Sequence, residues 1–284
     1  MTTTIASLIS HSGLPRLEAE TLVGHAMGKS RAQLLAHPNH AVSDAHADAA
    51  RALFARRRDG EPIAYLVGHR EFYSLELAVT PDVLIPRPET ELLVDLVLER
   101  VAPASAPRVA DHRSGRASRP EVLDLATGSG AVAIAIAKHA PDAQVSASDV
   151  STAALAIARS NAARHEAEVR FVESDWFDAL AGMQFDAIVS NPPYIAEVDP
   201  HLGEGDLRFE PRQALVAGVD GLEAIRRIVA ESRTHLRSGG WLVFEHGYDQ
   251  AARCRALLAD AGYVGVASYR DLAGIERVTA GRAP

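Results

Sequence analysis

The four consecutive residues Asn191-Pro192-Pro193-Tyr194 are the most specific chemical motif in this sequence. They follow an apolar run at 185–190 that has the pattern of a buried strand. Because proline lacks an N–H and has a fixed φ, Asn191 Oδ1 and the Pro192 carbonyl can both be held as acceptors for one planar NH₂ group. Tyr194 offers a ring face for stacking. The motif therefore predicts a site for an amide or a flat amine.

Further candidate residues lie between a strand that contains Asp124 and a helix that begins at Ala131. The turn that joins the two consists of Ala126, Thr127, Gly128, Ser129 and Gly130. Such a turn lets the backbone approach a ligand at a helix N-terminus. Asp149 ends the next predicted strand, close to the roughly 20-residue spacing at which an acidic side chain meets ribose hydroxyls. The spacing indicates a nucleotide-like ligand.

The third predicted strand ends at Asp175 and Trp176. Their carboxylate and indole suit the amino group and the ring face of an adenine. No Gly-Lys-Ser/Thr sequence that could hold a triphosphate follows the glycine turn. The three strand ends therefore predict a pocket for an adenosine without phosphates.

The elements that must position these residues alternate between strands and helices, which favours an α/β fold with a mainly parallel sheet. The predicted strands are 121–126, 143–149, 169–173, 185–190 and 241–246, and the predicted helices are 131–139, 152–165, 221–236 and 249–261. Two last extended runs, 264–270 and 275–280, have no helix between them. We therefore expect them to pair as an antiparallel hairpin.

The chain before residue 121 divides into three parts. Residues 1–70 show helical spacing of apolar residues and predict a small helix bundle, in which Ser43 caps the last long helix. Residues 71–101 predict a β-hairpin and a connecting helix. Residues 102–120 are rich in Ala, Pro, Ser and Arg, which predicts a flexible insert. The α/β domain then occupies 121–284.

Composition excludes several classes of protein. The 284 residues are 47% hydrophobic and have a formal net charge of −8, so we expect no coat-like binding of nucleic acid. The sequence shows neither a signal peptide nor a membrane-spanning run, and Cys254 has no partner for a disulfide. His37 and His40 have the spacing of a solvated loop, and no metal site is predicted. We expect a soluble, cytoplasmic monomer.

The tetrapeptide at 191–194, placed after the turn at 124–130, resembles the class I S-adenosylmethionine-dependent amino-group methyltransferases. Five further segments narrow the resemblance to one family of these enzymes. The seven segments are FYSLEL at 72–77, IPRPETE at 85–91, DLATGSG at 124–130, SDW at 174–176, NPPY at 191–194, DLRFEP at 206–211 and EHG at 245–247. The whole chain except 102–120 is similar to the PrmC/HemK family. The resemblance implies a Rossmann-like, seven-stranded class I methyltransferase domain behind a helical N-terminal domain.

The resemblance also implies an activity and its residues. Members methylate the side-chain amide nitrogen (N5) of the glutamine in the Gly-Gly-Gln loop of class-1 peptide chain release factors, with S-adenosylmethionine as methyl donor. The catalytic residues would be Asn191, Pro192 and Tyr194, and Pro193 would join them in substrate binding. The cofactor-binding residues would be Ala126, Thr127, Gly128, Ser129, Gly130, Asp149, Asp175, Trp176 and Asn191.

One residue departs from the family pattern, because Ala126 replaces the first glycine of its Asp-x-Gly-x-Gly-x-Gly turn. We expect the alanine to be tolerated at small cost if its φ is negative. A cationic sulfonium would explain a pocket that contains Asp124, Asp149 and Asp175 without a basic counterpart. Glu245, at the end of a predicted strand, would either touch the cofactor region or serve a structural role.

Three alternatives stay open at this stage. A DNA adenine-N6 methyltransferase uses the same tetrapeptide logic, although this chain has no basic target-recognition domain. Another glutamine-bearing protein of the translation machinery, such as a ribosomal protein, could be the substrate. A non-catalytic adaptor with a vestigial fold is less favoured, because every strand end carries a chemically suitable residue.

Overall fold

The computed structural model describes residues 3–101 and 119–284. Nearly all of the insert predicted at 102–120 therefore lies outside the described residues. The chain groups into two compact units, one of Met1–His69 with Gly203–Phe209 and one of Arg70–Leu202 with Glu210–Pro284. In the described ranges, no helix is both long and apolar enough to cross a membrane.

The first unit is the helical bundle that the sequence predicts. Its helices are α1 (Ile5–Ser10), α2 (Arg16–Met27), α3 (Arg31–Ala36), α4 (Asp44–Arg58) and α5 (Ile63–Val67). Ser43 caps α4 as predicted, and its hydroxyl accepts a hydrogen bond from the His46 N–H. The apolar faces of the helices bury one shared core, which includes Leu22, Leu34 and Phe54.

The segment Gly203–Phe209 belongs to this unit although it lies far along the chain. Arg57 Nη1 donates to Asp206 Oδ1 at 3.1 Å, and the same guanidinium is paired with Glu18. Arg208 donates to the Asp59 carbonyl. The C-terminal end of α4 therefore holds this segment through two arginines.

A short hairpin, β1 (His69–Phe72) and β2 (Leu75–Ala78), includes Arg70, the first residue of the second unit. Its two turn residues, Tyr73 and Ser74, have φ values of 52° and 63°. Two successive positive φ values match the twist that hairpin strands need, so the hairpin closes without a glycine. A 3₁₀ turn at Pro88–Thr90 then leads into α6 (Glu91–Val101).

A seven-stranded sheet forms the centre of the second unit. Its strands are β3 (Glu121–Leu125), β4 (Gln144–Asp149), β5 (Val169–Glu173), β6 (Phe185–Ser190), β7 (Leu236–Glu245), β8 (Val264–Arg270) and β9 (Glu276–Arg282). The helices are α7 (Ala131–His139), α8 (Thr152–Arg164), α9 (Glu223–Ser232) and α10 (Ala251–Asp260). The strand order is β5-β4-β3-β6-β7-β9-β8, and β9 runs in the opposite direction to the other six strands. The predicted fold, including the terminal hairpin, is confirmed.

Strand β7 is longer than predicted, because it begins at Leu236 instead of residue 241. The pairing with β6 shifts register between Phe185 and Ala187, which accommodates a bulge before Trp241. Gly239 has a φ of 78°, a conformation that glycine adopts without strain. The Gly239-Gly240 pair is therefore an irregular part of the strand.

The sheet order changes direction at β3, which pairs with β4 on one side and with β6 on the other. Chain segments that leave neighbouring strands toward opposite sides open a crevice at the carboxyl ends of those strands. Apolar side chains cover both faces of the sheet in two clusters. The fold therefore places the ends of β3 and β6 at the natural position for a ligand.

Candidate active site

A cavity of about 580 Å³ lies at the carboxyl ends of β3, β4, β5 and β6. The predicted site residues that line it are Ala126, Thr127, Gly128, Ser129, Asp149, Asp175, Trp176, Asn191 and Pro193. Gly130, Pro192 and Tyr194 were predicted with them but are not among its lining residues. Because residues from four strand ends meet in one cavity, the juxtaposition expected from the sequence is present.

Gly130 serves helix packing. Its φ is 83°, and a Cβ at this position would lie 2.9 Å from the Ile134 side chain and 3.1 Å from Ala158 Cβ. A side chain here would therefore push α7 away from α8. The glycine allows the two helices to approach closely just behind the turn.

Asp149 holds the glycine turn by its backbone. Its Oδ2 accepts from the Gly128 N–H at 2.9 Å, and its Oδ1 accepts from the Ser151 N–H at 2.9 Å. Burial raises the pKa of Asp149, against the effect of these two bonds. Each carboxylate oxygen has a second lone pair. The Val150 N–H also lowers the pKa of this carboxyl, and lone-pair capacity remains for a ligand in the cavity.

Asp124 is a second carboxylate at the cavity and is almost completely buried. Its Oδ2 accepts from Thr127 Oγ1 at 2.6 Å and from the Ala133 N–H at 3.2 Å, whereas no described residue donates to Oδ1. Burial raises the pKa of Asp124 to about 7, and the bond from Thr127 opposes this shift. A cation in the cavity would favour the ionised carboxylate.

Ala126 does not meet the condition under which a small cost was expected. The residue has a φ of 58°, in the left-handed region, and not the negative φ under which an alanine would be tolerated at small cost. A non-glycine residue in this conformation costs about 1–3 kcal/mol. The backbone of the turn keeps the shape that glycine favours, and the alanine is strained within it.

We expect the substitution Ala126→Gly to raise the free energy of unfolding by about 1 kcal/mol, because relief of strain outweighs the extra freedom of glycine in the unfolded chain. Urea denaturation monitored by circular dichroism measures the change. Ala137→Gly, within helix α7, is the control and is expected to lower stability by about 1 kcal/mol. Equal losses in both variants would show that Ala126 carries no strain.

Asp175 has a basic partner, so the prediction of an acidic pocket without a basic counterpart is wrong. Arg227 also lines the cavity, and its Nη1 donates to Asp175 Oδ1 at 3.0 Å. The same guanidinium donates to Asp178 Oδ1 at 3.2 Å and to Glu231 Oε1 at 3.0 Å. Arg227 lies on α9, and no spacing of residues in the sequence pairs this helix with the third strand.

The tetrapeptide after β6 contains the two predicted acceptors, Asn191 Oδ1 and the Pro192 carbonyl, and neither has a donor among the described residues. Asn191 Nδ2 donates to Thr90 Oγ1 at 3.1 Å, which leaves Asn191 Oδ1 as the free end of the amide. Tyr194 donates its hydroxyl to Glu245 Oε1 at 3.1 Å, and its own carbonyl accepts from Gln250 Nε2 at 3.0 Å. The motif is thus held from behind by three side chains.

Sequence reasoning missed three residues that support this site. Thr90 is buried and donates to Glu245 Oε2 at 2.7 Å. Glu210 accepts from the Ile85 N–H at 3.0 Å and from Arg87, and so holds the loop before the 3₁₀ turn. Asn161 binds the Ala78 backbone and donates to the Ser129 carbonyl at 2.9 Å. Thr90 and Glu210 lie in two of the segments that resemble the PrmC/HemK family, at 85–91 and 206–211. That resemblance was the signal in the sequence that could have identified them.

Two family models match the sequence: "PrmC N-terminal domain" over residues 2–68 and "Methyltransferase small domain" over residues 110–203. Among solved structures, the 16S rRNA N2 G1207 methyltransferase of T. thermophilus, in complex with AdoMet and guanosine, superposes with a TM-score of 0.53. It is 18% identical and covers 76% of this chain and 50% of its own. This likeness concerns the fold alone.

Curated relatives are much more similar. The release factor glutamine methyltransferase of Bordetella pertussis is 51% identical over 98% of this chain and 99% of its own length. The release factor glutamine methyltransferase of Burkholderia pseudomallei is 52% identical over 99% of this chain and 96% of its own. With about half of the residues identical over nearly the full length of both chains, and with the PrmC N-terminal domain matched, the chain belongs to the PrmC family of release factor glutamine methyltransferases.

Proposed function

We propose that this protein transfers a methyl group from S-adenosylmethionine to the side-chain amide nitrogen of the glutamine in the Gly-Gly-Gln loop of class-1 peptide chain release factors. The observation that carries the proposal is the pair of acceptors at the end of β6, Asn191 Oδ1 and the Pro192 carbonyl, to which no described residue donates. Relatives of the same length that bear this name support it.

The cavity suits the methyl donor. Asp149 has lone pairs for the two ribose hydroxyls, and Trp176 and Asp175 offer a ring face and an acceptor for the adenine. Asp124 Oδ1 is an unpartnered acidic oxygen for a positively charged ligand. When bound, S-adenosylmethionine supplies a methyl group activated by its sulfonium. These residues fit an adenosyl group with a cationic centre.

The chain's contribution to the reaction is positioning. An amide nitrogen is a poor nucleophile because its lone pair is delocalised into the carbonyl. Asn191 Oδ1 and the Pro192 carbonyl, as acceptors for both N–H bonds, would fix the plane of the amide and direct the nitrogen lone pair toward the methyl group. Orientation of this kind lowers a barrier by up to about 7–11 kcal/mol. The same acceptors would stabilise positive charge that develops on the nitrogen.

We expect Asp149→Ala to weaken the binding of S-adenosylmethionine at least about tenfold. The carboxylate would lose two hydrogen bonds to the ribose, and hydrogen bonds to charged groups contribute about 1.5–3 kcal/mol each. Isothermal titration calorimetry measures the affinity. Because Asp149 also holds the Gly128 N–H, Asp149→Asn serves as the variant that retains one acceptor. Unchanged affinity in both variants would contradict the assignment of Asp149 to the ribose.

Two other substrates must be distinguished by experiment. Adenine in DNA and a glutamine in a ribosomal protein would both present an NH₂ group to the same acceptors. Methyl-labelled cofactor, supplied to an equimolar mixture of release factor, ribosomal proteins and duplex DNA, allows direct competition. We expect the label on the release factor. If most of the label is found on the ribosomal proteins or on the DNA, that competitor is the substrate and the proposal is wrong.

A further inference from the structure

Four side chains, two of them from the tetrapeptide, are linked by consecutive hydrogen bonds. They are Asn191, Thr90, Glu245 and Tyr194. Asn191 Nδ2 donates to Thr90 Oγ1 at 3.1 Å, and Thr90 Oγ1 donates to Glu245 Oε2 at 2.7 Å. Tyr194 donates its hydroxyl to the other carboxylate oxygen of Glu245 at 3.1 Å. Glu245 is completely buried at the end of β7, and Thr90 is 4% exposed. Two residues of the tetrapeptide are therefore tied to one buried carboxylate.

The direction of each hydrogen bond follows from the chemistry of the groups. A hydroxyl has one hydrogen to donate, whereas an ionised carboxylate has none. As long as Glu245 is ionised, Thr90 must give its hydrogen to the carboxylate and can offer only a lone pair to Asn191. Asn191 can satisfy that lone pair only with its NH₂ group. Its oxygen then faces the cavity.

Loss of the carboxylate charge removes this constraint. A protonated Glu245 donates one hydrogen bond, and if this bond goes to Thr90, the threonine hydrogen becomes free to point at Asn191. The Asn191 amide would then rotate and present its NH₂ group to the cavity. Two NH₂ groups cannot pair with each other as donors and acceptors. A substrate amide would therefore lose one of its two acceptors.

We propose that Glu245 is a positioning residue that acts through Thr90 to set the orientation of the Asn191 amide, so that its oxygen faces the substrate. This inference rests on the proposed function, because it assumes that the group to be oriented is an amide NH₂. It assigns to Thr90 and Glu245 the selection of a glutamine side chain over a glutamate side chain.

The charged surroundings of Glu245 support a role for its ionisation. Burial raises the pKa of Glu245 to about 7, and the bonds from Thr90 and Tyr194 oppose this shift. The Glu89 carboxylate favours the neutral acid, whereas the Arg277 guanidinium favours the carboxylate. Burial also raises the pKa of the Tyr194 hydroxyl well above its usual range, so the tyrosine stays a donor. The competent form of Glu245 is thus lost as the pH falls through neutrality.

The test compares Glu245→Gln and Thr90→Val with the wild type at saturating S-adenosylmethionine. Thr90→Ser retains the hydroxyl, and Glu99→Gln, on the exposed side of α6, is the matched control for a carboxylate-to-amide change. Both Thr90→Val and Glu245→Gln are expected to lower kcat at least about tenfold, while Thr90→Ser stays within about threefold of wild type. The double variant is expected to lose little more than Thr90→Val alone, because Glu245 acts through Thr90.

A binding measurement separates amide orientation from general damage to the fold. Titration with a Gly-Gly-Gln peptide and a Gly-Gly-Glu peptide, in the presence of S-adenosylhomocysteine, gives the preference of each variant. The wild type is expected to prefer the glutamine peptide, and Thr90→Val and Glu245→Gln are expected to reduce that preference at least about threefold. At saturating cofactor, the fall of wild-type kcat below about pH 7 should disappear in Glu245→Gln.

Two results would overturn the inference. If both variants retain the wild-type preference between the peptides, Thr90 and Glu245 do not orient Asn191, whatever happens to kcat. If Glu245→Gln in the Thr90→Val background costs as much as it does alone, Glu245 does not act through Thr90. Absence of methyl transfer by the wild type would instead refute the proposed function. The peptide titration would still test the inference, because it measures binding and does not depend on turnover.

Discussion

Replacement of Asn191 by alanine is expected to lower kcat at least about a hundredfold while the affinity for S-adenosylmethionine changes less than about threefold. The side chain supplies one of the two acceptors that orient the substrate amide. The Asn191 side chain is held by the hydrogen bond from Nδ2 to Thr90 Oγ1. It makes no hydrogen bond to the glycine turn among the described residues, so its loss should leave that turn unchanged. Single-turnover kinetics and calorimetric titration of the cofactor measure the two quantities.

Asn39→Ala is the matched control for this substitution, because Asn39 is an exposed asparagine in the first unit. It is expected to leave both quantities unchanged. If Asn191→Ala abolishes cofactor binding together with turnover, Asn191 is mainly structural. If it changes neither, the reaction takes place elsewhere in the chain.

Removal of residues 1–70 is expected to lower kcat/KM for an intact release factor at least about tenfold, with a much smaller loss for a short peptide that carries the Gly-Gly-Gln loop. A glutamine side chain inserted at Asn191 contributes little contact area, and a stable protein complex buries about 1,200–2,000 Å². A macromolecular substrate therefore needs a second contact surface, and we propose the helical domain for that role. Steady-state kinetics on the two substrates measure the difference.

The truncated chain needs its own control, because Gly203–Phe209 belongs to the first unit and loses its contacts with Arg57 and Asp59. A second truncated chain, in which a Gly-Ser linker replaces this segment, tests whether the exposed segment causes the loss. Circular dichroism and cofactor titration must show that both truncated chains are folded. Equal losses on protein and peptide would contradict a docking role for residues 1–70.

Much of the fold was predictable because its signals are local. The strands of the parallel sheet alternate with helical runs along the chain, and the missing helix between β8 and β9 predicts their antiparallel pairing. The start of β7 was predicted too late, because Gly239 and Gly240 are typical of a turn and here form an irregular part of the strand. A glycine pair is compatible both with the end of a strand and with a bulge inside one, so the sequence does not distinguish the two.

The candidate site was predictable only where its residues follow strand ends. Asn191 and Asp149 come directly after β6 and at the end of β4, so the topology alone brings them to one edge of the sheet. Thr90 and Arg227 reach the same cavity from a 3₁₀ turn and from α9, by contacts across the tertiary structure that no sequence spacing encodes. The positive φ of Ala126 is likewise imposed by the surrounding turn, against the preference of alanine.

The most direct test of the account is to locate the methyl group on the product. A class-1 release factor, incubated with the enzyme and methyl-labelled S-adenosylmethionine, is digested and analysed by tandem mass spectrometry. We expect one methyl group, on the side-chain nitrogen of the glutamine in the Gly-Gly-Gln loop, and no label on a release factor in which glutamate replaces that glutamine. Label at any other residue, or equal labelling of the glutamate variant, would contradict this expectation.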